Sequence, residues 1–478
     1  MAVHPPTRPR PLIRTLLPLS LVFLAVGLST ALVLPFLSLF LRTAVHAGPS
    51  LVTVFLVATP LAGVVASTLL ARLSDRRPVR RNLLVAAALA GLASASVTAF
   101  VRNYWVLLAV TVTAAAVANS LFPQSFAYAR QVLQRDSPER TAMGINAFRT
   151  LFSLAWVAGP AVAAVLLDTG GFRLVYGTAA VMYAVAALVA AGLLTEVGTV
   201  SSGGGPAAVD VPPPERPGAV PAPDDAAGVP ASDGAAGAPA LAGAAGVPPL
   251  VGAAGVPASD RAGGVPPSDR AGGVPPRWVL VATVAAFTML QCPLTLGMQA
   301  LPLFISTDLG APAADAGLIL GLCAALEIPL MVALGLLTSR IPLRRLVLAG
   351  AGCGIGYYVL ATAAPSLGVL AAGQVVNAVF IAAVSGLGIS YLQELLPHHP
   401  GRATTLFTNS FPIGAILAGP LLGLAAHVGY RLAYGLSAGL CAAGLIVLLA
   451  AGRARVTVPE AGGPDSVDRG RPVPSAPI

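Results

Sequence analysis

Long apolar runs dominate this chain and leave few folds open to it. A run of about 20 apolar residues can cross a bilayer as a helix. The sequence predicts twelve such spans, at 14–41, 50–73, 82–101, 104–130, 143–167, 173–195, 278–306, 315–338, 345–364, 367–393, 404–426 and 431–452. Charged residues make up only 10% of the 478 residues, against about 25% in a soluble domain. We therefore predict an all-α integral membrane protein, because helices satisfy their own backbone hydrogen bonds in lipid.

Parts of the first half of the chain recur in the second half. The matched positions are Gly159-Pro160 with Gly419-Pro420, Leu34-Pro35 with Leu301-Pro302, Arg173 with Arg431, and Tyr176 with Tyr434. Repeated bundles with a binding site at their interface are a common transporter architecture. The repeat predicts two six-helix pseudo-symmetric bundles.

A segment of different composition separates the two halves. Residues 197–276 are rich in Gly, Ala and Pro, and the tripeptide GVP recurs every nine residues from Gly246. Such a segment cannot bury enough apolar surface to fold. Its alternatives are a tolerated repeat expansion and a regulatory docking site. The predicted domains are a cytoplasmic tail at 1–13, a bundle at 14–196, a disordered cytoplasmic linker at 197–276, a bundle at 277–452 and a disordered cytoplasmic tail at 453–478.

The arginines indicate how the chain lies in the membrane. All 28 basic residues are arginine, and almost all of those in predicted loops and tails fall on the side of the two termini. The other side holds Arg42, Arg102, Arg173 and Arg431. By the positive-inside rule, both termini are cytoplasmic and the protein is a multi-pass protein of the plasma membrane. The net charge of +9 is therefore explained by orientation, and we predict no nucleic-acid partner.

Polar side chains recur at helical spacing inside the predicted spans. In the fifth span, Asn146, Arg149 and Trp156 share one face of a helix. Amide and guanidinium groups hydrogen-bond to sugar hydroxyls, and an indole offers an aromatic face to a sugar ring. The alternative for each amide is a hydrogen bond between helices. The predicted substrate-binding residues are Asn119, Gln124, Asn146, Arg149, Trp156, Gln291, Gln299, Gln374 and Asn377.

Two full charges lie within predicted spans, Arg149 in the fifth and Glu327 in the eighth. Charges inside a bilayer are costly, and they mark substrate pathways and proton relays. Because the two residues belong to opposite halves of the repeat, a relative movement of the halves would bring them together or apart. We predict that Glu327 and Arg149 couple proton movement to transport.

The other chemically reactive residues give no indication of catalysis. The four cysteines lie within predicted spans without metal-ligand spacing. No nucleotide-binding or nucleophile motif occurs in a suitable context. The sequence predicts a protein that is not an enzyme and that has no catalytic residues, no metal and no cofactor.

Two short motifs stand after the second span and within the fifth. ARLSDRRPVRR from Ala71 resembles the loop signature G-x-x-x-D-R-x-G-R-R of the major facilitator superfamily, with Ala71 and Pro78 at glycine positions. AWVAGPAVAA is similar to that superfamily's antiporter signature G-x-x-x-G-P-x-x-G-G. The resemblance implies the twelve-helix major facilitator fold. It also implies a cytoplasmic gate at Asp75 and Arg76, and close helix packing at Gly159, Pro160, Gly419 and Pro420.

Three longer stretches narrow the resemblance to the bacterial sugar efflux transporter family: FRTLFSLAWVAGP from Phe148, LEIP from Leu326, and NAVFIAAVSGLGISYLQELLPHHPGRATTLFTNS from Asn377. This resemblance implies a monomeric secondary transporter that exports sugars or glycosides in exchange for protons by alternating access. One alternative is a multidrug efflux carrier of the same fold, which a more aromatic and less amide-rich cavity would favour. Another is a membrane enzyme or sensor, which would need a catalytic cluster or a soluble domain.

Overall fold

The computed structural model describes residues 12–76, 79–136, 141–194 and 276–456, and in these ranges every regular element is a helix. Eleven helical stretches are long and apolar enough to cross a membrane. One of them, Met143–Gly192, has 50 residues, or about 75 Å at ~1.5 Å per residue. That length is more than twice the ~30 Å of a hydrocarbon core, so this stretch accounts for two crossings.

The twelve crossings are numbered here in chain order. They are α1 (Leu17–Thr43), α2 (Pro49–Ser74), α3 (Arg80–Phe100), α4 (Tyr104–Arg135), α5 and α6 (141–170 and 172–192, the two arms of Thr141–Gly192), α7 (Arg277–Thr307), α8 (Asp315–Leu337), α9 (Leu343–Ala363), α10 (Leu367–Leu395), α11 (Pro400–Val428) and α12 (Arg431–Gly452).

Gly171 separates α5 from α6. Its backbone has φ 64° and ψ −161°, a conformation that glycine adopts without steric cost. The arms on either side of it both pack on α1. Gly159 of α5 lies against Ala31, while the Ser29 hydroxyl donates to the Ala179 carbonyl of α6 at 3.5 Å. The arms therefore form an antiparallel hairpin, and the predicted twelve-helix, all-α membrane fold is confirmed.

The two halves pack their helices in corresponding ways. In the first bundle, α1–α6, Gly27 of α1 lies against Phe152 of α5. In the second bundle, α7–α12, Gly414 of α11 lies against the backbone of Cys292 in α7. Small residues permit such close approach of membrane helices. Because the repeat aligns α1 with α7 and α5 with α11, the two bundles have the pseudo-symmetry that the sequence predicts.

The helix ends define two faces that differ in charge. The arginine-rich end is the face of Arg72, Arg81, Arg277, Arg345 and Arg402, and the arginine-poor end is the face of the loops at 44–48, 101–103, 308–314, 364–366 and 429–430. At the arginine-rich end, Arg81 donates to the Ala190 carbonyl at 3.4 Å and also to the Ala191 carbonyl, near the last turn of α6.

The two bundles touch each other in the half of the molecule next to the arginine-poor end. Gly317 of α8 lies against the Pro160 carbonyl of α5, and Gly423 of α11 lies against Thr53 of α2. At the arginine-poor end itself, the Arg42 guanidinium lies beside the Tyr430 phenol, and both residues line one surface pocket. We refer to this set of contacts, together with the α1–α7 contact described below, as the seal.

The predicted domain boundaries stay predictions. Helix α7 begins at Arg277, but the predicted linker at 197–276 lies outside the described residues except at Pro276. Most of each predicted terminal tail lies outside them as well.

Candidate functional site

A cavity of about 160 Å³ lies between the first bundle and helices α7 and α11. Apolar side chains such as Phe40, Leu56 and Met298 form part of its wall. Among the described residues, no charged side chain lines it. Its polar lining residues are Ser29, Thr30, Thr59, Ser94, Thr98, Thr111, Asn119, Tyr176, Tyr183, Thr295 and Gln299. The cavity can therefore hold several water molecules or a small neutral solute that offers both hydroxyl groups and apolar surface.

Tyr176 is the most informative of these residues. Only 4% of Tyr176 is exposed, and its phenol oxygen has no hydrogen-bond partner among the described residues. Its repeat mate Tyr434 is also buried, but the Tyr434 phenol donates to the Gly297 carbonyl at 3.4 Å. Tyr176 lines the cavity, but its phenol oxygen is itself buried. Since buried polar groups are normally hydrogen-bonded, this unpartnered phenol is a candidate ligand contact once the side chain moves.

Helix α4 brings Thr111 and Asn119 to the cavity through an irregular stretch. A π turn occupies Thr111–Ala115, and the helix is interrupted again at Asn119 and Ser120 before it resumes at Leu121. π turns within helices occur frequently at functional sites. Both ends of this irregular stretch line the cavity. Asn119, a predicted substrate ligand, therefore lies where it could contact a solute. Gln124, predicted with it, is buried outside the cavity wall, and its side-chain oxygen has no partner in the described part of the chain.

The predicted polar face of α5 lies beside the cavity. Trp156 packs with Ala31, Phe152 and the cavity residue Met298, and the indole nitrogen has no hydrogen-bond partner among the described residues. Arg149 is partly buried two turns away, towards the arginine-rich end. The side chain of Asn146 lies outside the described atoms.

Gln291 of α7 and Glu327 of α8 are buried polar groups of the second bundle. Each is only 1% exposed. Within the described residues, neither amide atom of Gln291 has a hydrogen-bond partner, and neither does Oε1 of Glu327. An unsatisfied buried polar atom is costly, so both remain candidates for contact with substrate, proton or water. The predicted pairing of Glu327 with Arg149 stays a prediction.

Gln374 and Asn377 hydrogen-bond within the second bundle. Asn377 donates to the Gln374 side-chain oxygen at 2.9 Å and lies 3.4 Å from the Cys323 sulfur. Gln374 donates to the Tyr357 phenol at 3.0 Å. Neither residue lines the cavity, although the Asn377 oxygen has no partner among the described residues. In this conformation they join α8, α9 and α10. They therefore make hydrogen bonds between helices, which is the alternative to substrate contact for each predicted amide.

Gln299 lines the cavity, but its side chain is committed to α1. Its amide nitrogen donates to the Leu34 carbonyl at 2.9 Å, and its amide oxygen accepts from the Ser38 backbone N–H at 3.2 Å. The predicted ligand therefore forms a contact between the bundles in this conformation.

The two superfamily motifs contribute the predicted gate residues and the predicted helix-packing residues. The helix that contains α2 continues beyond the span to Arg76, but the side chains of Asp75 and Arg76 lie outside the described atoms. The predicted gate is therefore untested. Gly159 packs against Ala31, and Pro160 contributes the carbonyl that meets α8. In α11, Gly419 lies against Val57 of α2, one turn before Gly423, and Pro420 lies within the helix.

Sequence reasoning missed the hydroxyl groups of the cavity. Thr30, Ser94, Thr111 and Tyr183 stand in apolar runs, and a serine or threonine in a membrane helix usually bonds to its own backbone. Tyr176 was visible as a repeat position, yet the sequence cannot show that its phenol lacks the partner that Tyr434 has.

Comparison with known proteins places the chain in a family. The model of the Major Facilitator Superfamily matches residues 19–296 and 280–476. Sugar efflux transporter A of Dickeya chrysanthemi is 31% identical, with 86% of this chain and 90% of that protein covered. Sugar efflux transporter A of Escherichia coli K12 is 30% identical, with 85% and 88% covered.

Solved structures agree on the fold. The nucleoside transporter NupG matches with a TM-score of 0.62 at 14% identity, covering 92% of this chain and 99% of that one. A D-xylose-proton symporter matches with a TM-score of 0.61 at 13% identity, covering 92% and 97%. With its twelve helices and its two bundles, the chain belongs to the major facilitator superfamily and, within it, to the sugar efflux transporters, and is a membrane transporter rather than an enzyme.

Proposed function

We propose that this protein exports neutral sugars or glycosides across a bacterial plasma membrane in exchange for protons. The observation that carries the proposal is the cavity between the bundles, which no charged side chain among the described residues lines and whose wall includes Tyr176 with its unpartnered phenol. Hydroxyl and amide groups both donate and accept hydrogen bonds, which suits a polyol. Relatives about 30% identical bear the name sugar efflux transporter, which supports the same substrate class.

The position of the seal supports alternating access. If the arginine-rich end is cytoplasmic, as the positive-inside rule favours, both termini are cytoplasmic and the seal closes the outer side. The present conformation is then one in which the cavity is closed to the outside. Export requires the seal to open while the bundles close at the arginine-rich end, where Asp75 and Arg76 form the proposed gate.

Proton coupling is assigned to Glu327 of α8. It is almost fully buried, and its Oε1 has no hydrogen-bond partner in the described part of the chain. Embedded carboxylates are frequent proton carriers in transporters. Arg149 lies in the opposite bundle, so it can approach Glu327 in one state only and displace the proton there.

The test is transport by the purified protein in vesicles with an imposed pH difference and a panel of radiolabelled neutral sugars and glycosides. We expect pH-driven accumulation of at least one neutral sugar. Tyr176→Phe should raise its KM by about 3- to 10-fold, because the loss of one hydrogen bond costs ~0.5–1.5 kcal/mol. Tyr434→Phe is the matched control in the second bundle, and its KM should stay unchanged.

The panel also includes hydrophobic cationic drugs. Transport of those compounds, with no transport of any neutral sugar, would replace this proposal with multidrug efflux. If the KM of Tyr176→Phe were unchanged, Tyr176 would not contact the sugar, and the cavity would not be the binding site that we propose, even if the protein exported sugar.

A further inference from the structure

Helix α1 is broken where it passes the second bundle. A 3₁₀ turn at Leu34–Phe36 interrupts it at Pro35. The first backbone N–H groups after such a break have no partner within the helix that follows. The N–H of Ser38 instead donates to Oε1 of Gln299 at 3.2 Å, and Nε2 of Gln299 donates to the Leu34 carbonyl at 2.9 Å. The amide of one α7 residue thus spans the break in α1.

A third hydrogen bond completes this contact. The Ser38 hydroxyl donates to the backbone carbonyl of Gln299 at 2.5 Å. Ser38 is fully buried and Gln299 is 3% exposed. Three buried hydrogen bonds therefore join the first bundle to the second at one point of the seal.

The sequence repeat indicates that packing alone does not need this amide. The repeat aligns Pro302 of α7 with Pro35 of α1, so the mate of Gln299, three residues before Pro302, is Leu32, three residues before Pro35. Leu32 is fully buried in an apolar environment. Helix α7 continues past Pro302 as one unbroken helix. Of the two matched helices, only α1 has the break, and only α7 has the amide that spans it. Both features lie where α1 and α7 must separate for the seal to open.

We propose that Gln299 is the latch of the seal: its amide holds α1 against α7 while the cavity is closed on the arginine-poor side, and it must leave α1 before that side opens. Gln299 also lines the cavity beside Leu34. A solute in the cavity therefore lies next to the amide that holds the seal, and the amide becomes free to bind that solute only after α1 and α7 separate. The proposal rests on the alternating-access part of the proposed function and on no particular substrate.

The experiment measures the distance across the seal without any substrate. Thr43 of α1 and Thr307 of α7 are exposed and line the same pocket at the arginine-poor end. The variant Thr43→Cys, Thr307→Cys carries spin labels at these sites in a Cys353→Ala background, because the other native cysteines are buried. Pulsed dipolar spectroscopy then gives the populations with a short and a long distance.

Gln299→Leu removes both amide hydrogen bonds at nearly constant side-chain size, and Ser38→Ala removes the hydroxyl from the other helix. We expect Gln299→Leu, which loses two hydrogen bonds, to raise the ratio of long to short populations by about fivefold or more, and Ser38→Ala, which loses one, to raise it by about 2- to 10-fold. The matched control is Gln393→Leu, which loses a hydrogen bond to Thr404 within the second bundle and should leave the ratio unchanged. Because the substitutions lie on different helices, a failure of one to fold leaves the other as the test.

Gly317→Val serves as a control for opening, since it places a branched side chain against the backbone of α5. If Gly317→Val opens the seal while Gln299→Leu and Ser38→Ala match Gln393→Leu, the latch is refuted and alternating access stands. If Gly317→Val also leaves the short distance in place, alternating access through this seal is refuted along with the latch.

Discussion

A single added methyl group at Gly317 tests whether the α5–α8 contact sets the conformation. A β-carbon built there would lie 2.9 Å from the carbonyl carbon of Pro160 and 2.9 Å from the β-carbon of Ala164. Carbon atoms in contact normally lie about 3.5–4.0 Å apart, so α5 and α8 must separate by roughly half an ångström or more in Gly317→Ala. Overpacking of this kind typically costs ~1–3 kcal/mol. Only the sealed conformation bears this cost.

The sealed population of Gly317→Ala should therefore fall roughly 5- to 150-fold relative to the open one. The spin-label pair on α1 and α7 measures that ratio, and vesicle transport shows whether turnover slows. Gly335→Ala on the same helix is the matched control, because a β-carbon there meets no atom within 4 Å and the helix-propensity gain of ~0.5–1 kcal/mol is common to both variants. The reasoning is refuted if the two variants give the same label distances and the same turnover.

Three further predictions concern coupling, the linker and pH. Glu327→Gln should abolish efflux driven by a pH difference but retain sugar exchange, whereas Arg149→Ala should lose both; pH-driven accumulation by Glu327→Gln would contradict the coupling role. Deletion of residues 204–272 should leave transport rates in vesicles unchanged, because long flexible connections cost little to close. Burial raises the pKa of Tyr430 above its usual ~10, and Arg42 opposes that rise. The phenol should therefore stay protonated, and the label distances at the seal constant, between about pH 6 and pH 9; a loss of the short distance within that range would contradict this.

The number and order of the helices follow from local sequence, whereas their irregularities do not. A run of about 20 apolar residues crosses the bilayer whatever its neighbours are, and the repeat then indicates the pairing of helices. The 3₁₀ break in α1 is spanned by Gln299, more than 260 residues away in the chain, and no local motif marks the π turn in α4. Pro302 lies within an intact helix although it matches Pro35, so the proline alone did not predict the break.

The candidate site was harder to predict for a related reason. An embedded amide marks a polar interaction, but the sequence does not show whether its partner is a ligand or another helix. Gln374 and Asn377 bond to each other and to neighbouring helices, Gln299 bonds to α1, and neither amide atom of Gln291 has a partner among the described residues. Only the arrangement of the helices in space distinguishes these three outcomes.

Differences between the two halves are more informative than their shared features. The repeat explains why α1 and α7, or α6 and α12, have similar packing, so a shared residue needs only a structural reason. Tyr176 and Tyr434 are matched in sequence, yet of the two only Tyr176 lines the cavity and lacks a hydrogen-bond partner for its phenol among the described residues. Gln299 is matched by the apolar Leu32, yet it makes the buried hydrogen bonds across the bundles. Both residues line the same cavity, so each half of the repeat contributes there a polar side chain whose interactions its repeat mate does not share.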